Sequence, residues 1–103
     1  MWELSCGGWS SGPIAVAVGP LPRLRGLVPR SDHGLLLRAS SVHGIGMAHP
    51  LLVVGLVGRR VGSVRILPPG GVVTDRSATA VVELPAWRDG PPVGAVLAIR
   101  RIP

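Results

Sequence analysis

The sequence contains no phenylalanine, no tyrosine and no lysine, and it has a single cysteine, Cys6. One cysteine excludes an intramolecular disulfide, so nothing in the chain requires an oxidising compartment. Apart from histidine, the only aromatic side chains are Trp2, Trp9 and Trp87, which leaves Val, Leu, Ile and Ala to fill the interior. Because Val and Ile fit strands well, these absences favour a β-rich fold with an aliphatic core.

Negative charge is also scarce. Five residues are acidic against 11 arginines, which gives a formal net charge of +6. A field of that sign attracts polyanions at long range. The same composition, rich in Arg, Gly, Ala, Pro and Val, is also typical of a coding sequence biased toward G and C, so the charge alone does not indicate a function.

The length predicts one domain. A chain of 103 residues is expected to bury about 60 to 68% of its unfolded surface, which argues against a large internal active-site cavity. A hydrophobic content of 47% is too high for a disordered protein. Residues 1–12 are rich in Gly, Ser and Trp without periodicity, so we expect a flexible leader before a single domain over residues 13–103.

Short strand-like runs separated by turn residues occupy that domain. The clearest is a hairpin in which Leu51–Leu56 and Val61–Leu67 flank a turn with Gly58. Arg23–Arg30 is typical of a turn or a single helical turn. The remaining runs that predict strands are Ile14–Val18, Leu35–Leu37, Val72–Thr74, Thr79–Leu84 and Val96–Ile102. This spacing predicts a mainly β fold, a single compact antiparallel sandwich or barrel-like domain with at most one or two short helical turns.

No segment predicts secretion or membrane insertion. The N-terminus has no basic start, carries Glu3, and its short apolar run is interrupted by glycine and proline. The longest apolar stretch, Ile45–Gly58, contains His49 and Pro50 and is shorter than the roughly 20 residues that cross a bilayer. We therefore expect a soluble, cytoplasmic protein.

Three segments follow one another in the order and spacing of a known family. Arg25-Gly26-Leu27 with Arg30 resembles an entry motif RGL followed by R. Residues 41–47, which read SVHGIGM and precede Pro50, resemble SVHTFGM followed by proline, and residues 80–86, AVVELPA, resemble AVLELPA. Together they extend over roughly residues 14–102, and on them the chain resembles the domain-of-unknown-function 192 family of small bacterial and archaeal proteins.

This resemblance implies a compact β-rich fold and no established activity. The chain also departs from the family pattern. Where the family usually has aspartates, this sequence has Leu52, approximately Val57, and Ala95, and the usual glycine after L-P-A is Trp87. If those aspartates bind or turn over a ligand in relatives, this chain has lost that function.

The residue types needed for metal binding or catalysis are few. His33, His43, His49 and Cys6 could bind zinc or copper, but no pair has CxxC or HxxxH spacing, so we predict no metal and no cofactor. No Ser, Thr or Cys is placed beside an oriented base, which predicts a protein that is not an enzyme. An enzyme centred on His43 and Glu83 stays open as an alternative, and it requires the two side chains to converge in a cleft.

Arginine and methionine give the remaining candidates. Three groups, Arg23/Arg25/Arg30, Arg59/Arg60 and Arg100/Arg101, could hold phosphates if they share a face. No stacking aromatic lies near them in sequence apart from distant Trp87, which weakens that interpretation. Met47 could be a ligand or a lid residue, although a thioether that fills an aliphatic core explains it more simply.

The sequence thus favours a non-enzymatic accessory or interaction module that uses an exposed edge strand or an arginine-lined face toward an unknown protein partner. Weak, sequence-independent binding of nucleic acid or another polyanion through arginines is the alternative, and a small enzyme comes third. The candidate ligand or interaction residues are His43, Met47, Arg59, Arg60 and Glu83.

Overall fold

The computed structural model describes residues 1–17, 33–44 and 47–103, and all regular secondary structure in these ranges is β. The strands are β1 (Trp2–Cys6), β2 (Trp9–Val16), β3 (Gly34–Leu37), β4 (Ser41–His43), β5 (Leu51–Val57), β6 (Arg60–Leu67), β7 (Val72–Thr74), β8 (Ala80–Pro85) and β9 (Ala98–Arg101). The prediction of a mainly β, compact single domain is confirmed.

Seven strands form one sheet in the order β6-β5-β8-β3-β2-β1-β9, and β4 pairs with β7 in a separate two-stranded sheet. The pairing is antiparallel except between β2 and β3, where Ile14 lies opposite Gly34 in a parallel pair. The large sheet is therefore mixed, and the prediction of an antiparallel arrangement is wrong for this pair. The connection from Val16 to Gly34 is long enough for the crossover that parallel strands need. The turn expected over Arg23–Arg30, and with it the RGL motif, lies outside the described residues.

The large sheet curls until its two edges meet at one end. Arg60, at the start of β6, bridges to Val96 just before β9. The Val61 amide donates a hydrogen bond to the Ala95 carbonyl (2.8 Å), and the Leu97 amide donates one to the Arg59 carbonyl (2.8 Å). The described part of the sheet is thus a half-barrel whose edges are joined at the tip of the β5–β6 hairpin.

Two hydrophobic clusters lie on opposite faces of this sheet. The inner cluster draws on both edges of the sheet, so it fills the space that the curl encloses; its buried members are Leu4, Ile14, Leu52, Val54, Leu56, Val61, Val82, Leu84 and Leu97. The outer cluster lies under the β4–β7 pair and consists of Ala17, Leu35, Leu37, Val42, Leu51, Val53, Leu67, Val73, Ala78 and Val81. Aliphatic side chains fill both, as the composition predicts.

The predicted hairpin is confirmed. β5 and β6 pair over their whole length, and Gly58 in the turn between them has a φ of +60°, a value that glycine adopts without steric cost. The runs at Leu35–Leu37, Val72–Thr74 and Thr79–Leu84 also form strands, whereas the last run narrows to β9.

The flexible leader predicted for residues 1–12 is wrong for this structure. β1 lies between β2 and β9 in the large sheet, and Leu4 is buried in the inner cluster. The physical reason is a period of two in Trp2-Glu3-Leu4-Ser5-Cys6, which places apolar residues on one face, followed by a Gly7-Gly8 turn. A five-residue run such as Trp2–Cys6 is too short to be distinguished, by its sequence alone, from a Gly/Ser-rich tail.

Candidate functional site

Of the predicted arginines, Arg60 and Arg100 lie on one face of the sheet. Arg59 precedes Arg60 in the turn, and Arg101 faces the opposite side, over Trp2. Val96 is the cross-strand partner of Arg60, so the two side chains share the face of the sheet that points away from buried Val61. Alternation carries this face from Val96 to Ala98 and Arg100, about 13 Å farther at roughly 3.3 Å per residue. We call Arg59, Arg60, Arg100 and Arg101 the arginine seam. The third predicted group, Arg23, Arg25 and Arg30, lies outside the described residues.

Part of the hydrogen-bonding capacity of the seam is used within the protein. Arg60 Nη1 donates to the Gly94 carbonyl (2.8 Å), and Arg100 Nη2 lies 2.6 Å from Glu3 Oε1 in an ion pair. A guanidinium has five N–H donors, so both arginines keep donors for an external anion. Arg59, Arg60, Arg100 and Arg101 are all exposed, and Glu3 offsets one of their four charges.

Glu3 is held in its charged form by its neighbours. Its carboxylate accepts a hydrogen bond from Ser10 Oγ (2.9 Å), and this bond, followed by the interaction with Arg100, holds the pKa of Glu3 below its ordinary value of 4.5. At neutral pH, therefore, the seam has a fixed internal counter-charge at one end and uncompensated arginines at the other.

A cleft of about 310 Å³ lies where the loop after β8 meets the start of β2. Its lining residues are Gly8, Trp9, Ser10, Trp87, Arg88 and Asp89. Two hydrogen bonds join its walls: Trp9 Nε1 donates to the Asp89 carbonyl (2.7 Å), and Arg88 Nη2 donates to the Ser10 carbonyl (2.6 Å). We call this the tryptophan cleft. The shape of the cleft is thus fixed by Trp9 and Arg88, whose hydrogen-bond partners lie 80 and 78 positions away in the sequence.

Local backbone geometry makes room for this arrangement. The Arg88 amide donates to the Pro85 carbonyl (3.0 Å), which turns the chain directly after β8. Gly12 has a φ of +66°, and a Cβ built there would lie 3.1 Å from Arg88 Nη1. A side chain at position 12 would therefore strain the backbone and crowd the guanidinium that joins the two walls.

Trp87 has no structural role comparable with those of Trp9 and Arg88. Its residue surface is 70% exposed, the highest value among the large hydrophobic residues of the described chain. The guanidinium of Arg88 lies over its ring, with Cζ 5.7 Å from the centroid. An exposed large aromatic side chain beside an arginine is a composition that binding surfaces favour.

A second arginine–tryptophan pair lies on the same side of the β1–β2 hairpin. Arg101 Cζ is 5.8 Å from the centroid of Trp2, its partner across β1 and β9. Trp2 and Trp9 both pack against the inner cluster, and Trp9 pairs with Cys6, four residues along β1 from Trp2. The two tryptophans are thus separated by about 13 Å along the strand.

Of the other predicted candidates, Glu83 is fully buried. Its strand partners are Leu35 and Val53, both members of the outer cluster, so its side chain points to the face under the β4–β7 pair. Its carboxylate is not left without a partner there. Glu83 therefore lies in the core and does not line the tryptophan cleft or the arginine seam.

His43 and Met47 belong to the segment that leads from β4 to β5. Val42 faces the outer cluster, so alternation directs His43 to the opposite side of β4, away from the cluster that Glu83 faces. Met47 packs against the outer cluster, in line with the simpler explanation of its thioether. Gly44 is required by close packing, because a Cβ there would lie 2.5 Å from the Pro68 carbonyl oxygen.

The structure also places the residues at which the sequence departs from the pattern that it resembles. Leu52 is a buried member of the inner cluster, where an unpaired carboxylate would be costly. Val57 is exposed at the end of β5, and the Ala95 carbonyl accepts the hydrogen bond that joins the sheet edges. Within the described ranges, no group of three or more His, Cys, Asp and Glu side chains is placed to hold a metal ion.

Sequence reasoning found the arginines but missed the cleft. The leader expected over residues 1–12 includes Trp9, and Arg88 and Asp89 lie outside every predicted strand. The sequence signal for the cleft is Trp87, which stands where the resembled pattern has a glycine and is followed by Arg88 and Asp89. Nothing in the sequence indicates that this triplet contacts residues 8–10.

No described helix is long and apolar enough to cross a membrane. The resemblance to the domain-of-unknown-function 192 family stays a prediction, because comparison with family models, curated proteins and solved structures finds no match to this chain.

Proposed function

We propose that the protein is a non-enzymatic interaction module and that its partner is a polyanion, with nucleic acid bound independently of sequence. The observation that carries this proposal is the pairing of Arg60 with Val96, which places Arg60 and Arg100 on the same face of the sheet, with Arg59 in the adjacent turn. The span of about 13 Å between Arg60 and Arg100 fits two phosphates of an extended nucleic-acid backbone better than one small anion.

The charge balance supports the same choice. Of the four acids in the described ranges, Glu3 is paired at one end of the seam and Glu83 is buried. Asp75 accepts hydrogen bonds from Ser63 Oγ (2.8 Å) and the Ser77 amide (3.1 Å), beneath the β4–β7 pair. The fourth, Asp89, is the one of these acids that is exposed, so three of the four do little to repel a polyanion. The family resemblance implies no established activity and adds nothing to this choice.

The test is fluorescence anisotropy of a labelled 12-nucleotide single strand, titrated with protein at several salt concentrations. Each phosphate contact contributes about 0.7 to the slope of log affinity against log salt for single strands. The double substitution Arg59→Ala with Arg60→Ala should therefore lower the slope by about 1.4.

A matched control removes the same charge elsewhere. Arg38 and Arg76 are exposed on the turns that flank the β4–β7 pair. Arg38→Ala with Arg76→Ala should leave the slope close to that of the wild type. Equal losses in the two double variants, or no binding near physiological salt, would contradict a role for the seam.

A further inference from the structure

Trp87 is the feature that charge alone does not explain. A seam of arginines binds phosphates without help from an indole. Yet the most exposed large hydrophobic side chain among the described residues lies beside Arg88 in a cleft. We propose that the tryptophan cleft is a stacking site for an unpaired base of single-stranded nucleic acid. This inference rests on the proposed function and adds to it the form of nucleic acid that the protein selects.

The cleft is held ready for such a ligand. Trp9 and Arg88 each form one hydrogen bond across it, to the carbonyls of Asp89 and Ser10. The two residues that follow Trp87 in the loop are therefore both tied to β2. A ring presented on a fixed loop loses little conformational entropy on binding, which favours stacking over a site that must first form.

The surroundings of the indole favour a base over other planar groups. Arg88 lies over the ring, and Arg101 covers Trp2 farther along the same side of the β1–β2 hairpin. Aromatic platforms with flanking cations are the usual means by which single strands bind without sequence preference. In a duplex the bases are stacked on one another, so Trp87 reaches only an unpaired base. A neutral sugar could stack on the indole but would gain no electrostatic attraction from the positive charge of Arg88.

The experiment compares two labelled 12-mers of equal length and charge, oligothymidylate and an abasic deoxyribose-phosphate strand. If a base stacks on Trp87, the wild type binds oligothymidylate about tenfold more tightly than the abasic strand. Trp87→Ala should remove this difference and leave the affinity for the abasic strand unchanged. Trp87→Phe, which keeps an aromatic ring, should retain most of it. The double substitution Arg59→Ala with Arg60→Ala should lower the affinity for both strands by the same factor.

The outcomes separate the two proposals. Equal binding of both strands by the wild type, or an equal loss on both with Trp87→Ala, would overturn the stacking site and leave the polyanion function in place. Failure of both strands to bind would overturn the proposed function and this inference with it. Quenching of tryptophan fluorescence by maltoheptaose that Trp87→Ala abolishes, without a preference for oligothymidylate, would assign the cleft to a sugar instead and overturn the inference.

Because Trp87 is largely exposed, its variants are expected to fold, and circular dichroism with a urea titration verifies this for each protein used.

Discussion

Glu83 and Trp87 lie four residues apart, and each is placed against the usual rule for its side chain. Glu83, a charged residue, is 0% exposed at the centre of β8, whereas Trp87, the largest apolar side chain, is 70% exposed in the loop that follows. Scattered exposed aliphatic residues need no explanation, but a buried glutamate and an exposed tryptophan do. The comparison separates what builds the half-barrel from what the half-barrel presents to a partner.

The difference follows from what each side chain contacts. The neighbours of Glu83 are strands on both sides and the outer cluster, so its surroundings are made by the fold itself. Trp87 contacts Arg88, its neighbour in sequence, and opens toward solvent. Substitution at Glu83 should therefore change folding, and substitution at Trp87 should change binding.

The largest expected effect is the loss of stability in Glu83→Ala. Removing a buried carboxylate leaves its partner group unsatisfied and also creates a cavity, so the free energy of unfolding should fall by about 3 kcal/mol or more. Urea denaturation followed by circular dichroism measures it. A domain of this size has a total stability of about 5 to 15 kcal/mol, so the substitution should remove between about a fifth and more than half of it.

Val81→Ala is the matched control, because Val81 lies on the same strand and face and is almost as buried. It removes volume without removing a charge. If both substitutions lower the free energy of unfolding by the same amount, Glu83 contributes only packing. Glu83 and Trp87 then differ only in how deeply their side chains are buried.

The second effect concerns the bond that fixes the cleft. Trp9→Phe keeps a ring against the inner cluster but removes the Nε1 donor to the Asp89 carbonyl. One net hydrogen bond is worth about 1 kcal/mol, so the unfolding free energy should fall by about that amount. Amide exchange around Asp89 should also accelerate, because the loop is then tied at Arg88 only. Unchanged exchange there would show that the loop does not depend on Trp9.

Trp87→Ala should have the smaller effect on stability. The contact with Arg88 is at the surface and is worth at most about 1 kcal/mol, and exposed positions away from special features usually change stability by about 0.5 kcal/mol. The same urea titration measures it. A loss as large as that of Glu83→Ala would mean that Trp87 supports the fold and would end the distinction between the two residues.

Some features of the fold and of the site can be predicted from the sequence, and others cannot. The hairpin, most strands and the aliphatic core follow from period-two runs and turn residues, which are local signals. The parallel pairing of β2 with β3, the joining of Arg60 to Val96 and the contact of Arg88 with Ser10 depend on partners far along the chain. Local patterns carry no information on such pairs. For that reason the sequence identifies the groups Arg59/Arg60 and Arg100/Arg101 but does not show that Arg60 and Arg100 share a face.

The smallest expected effect concerns Glu3, which is partly exposed, unlike buried Glu83. Its carboxylate contacts Ser10 and Arg100. Its pKa in the folded state lies below the ordinary value of 4.5, with the Ser10 hydrogen bond as the main cause and Arg100 as the second. A lowered pKa means that the charged form stabilises the fold fully above about pH 4.5, and that this contribution is lost as the pH falls through the folded value. Glu3→Gln should therefore be less stable than the wild type at neutral pH, and the difference should shrink as the solution is acidified below 4.5. Carboxyl chemical shifts of Glu3 measured by NMR give the pKa directly, and Ser10→Ala should raise it more than Arg100→Ala does. The reverse order would make the ion pair the main partner of Glu3, and part of the charge at that end of the arginine seam would then be unavailable to a polyanion.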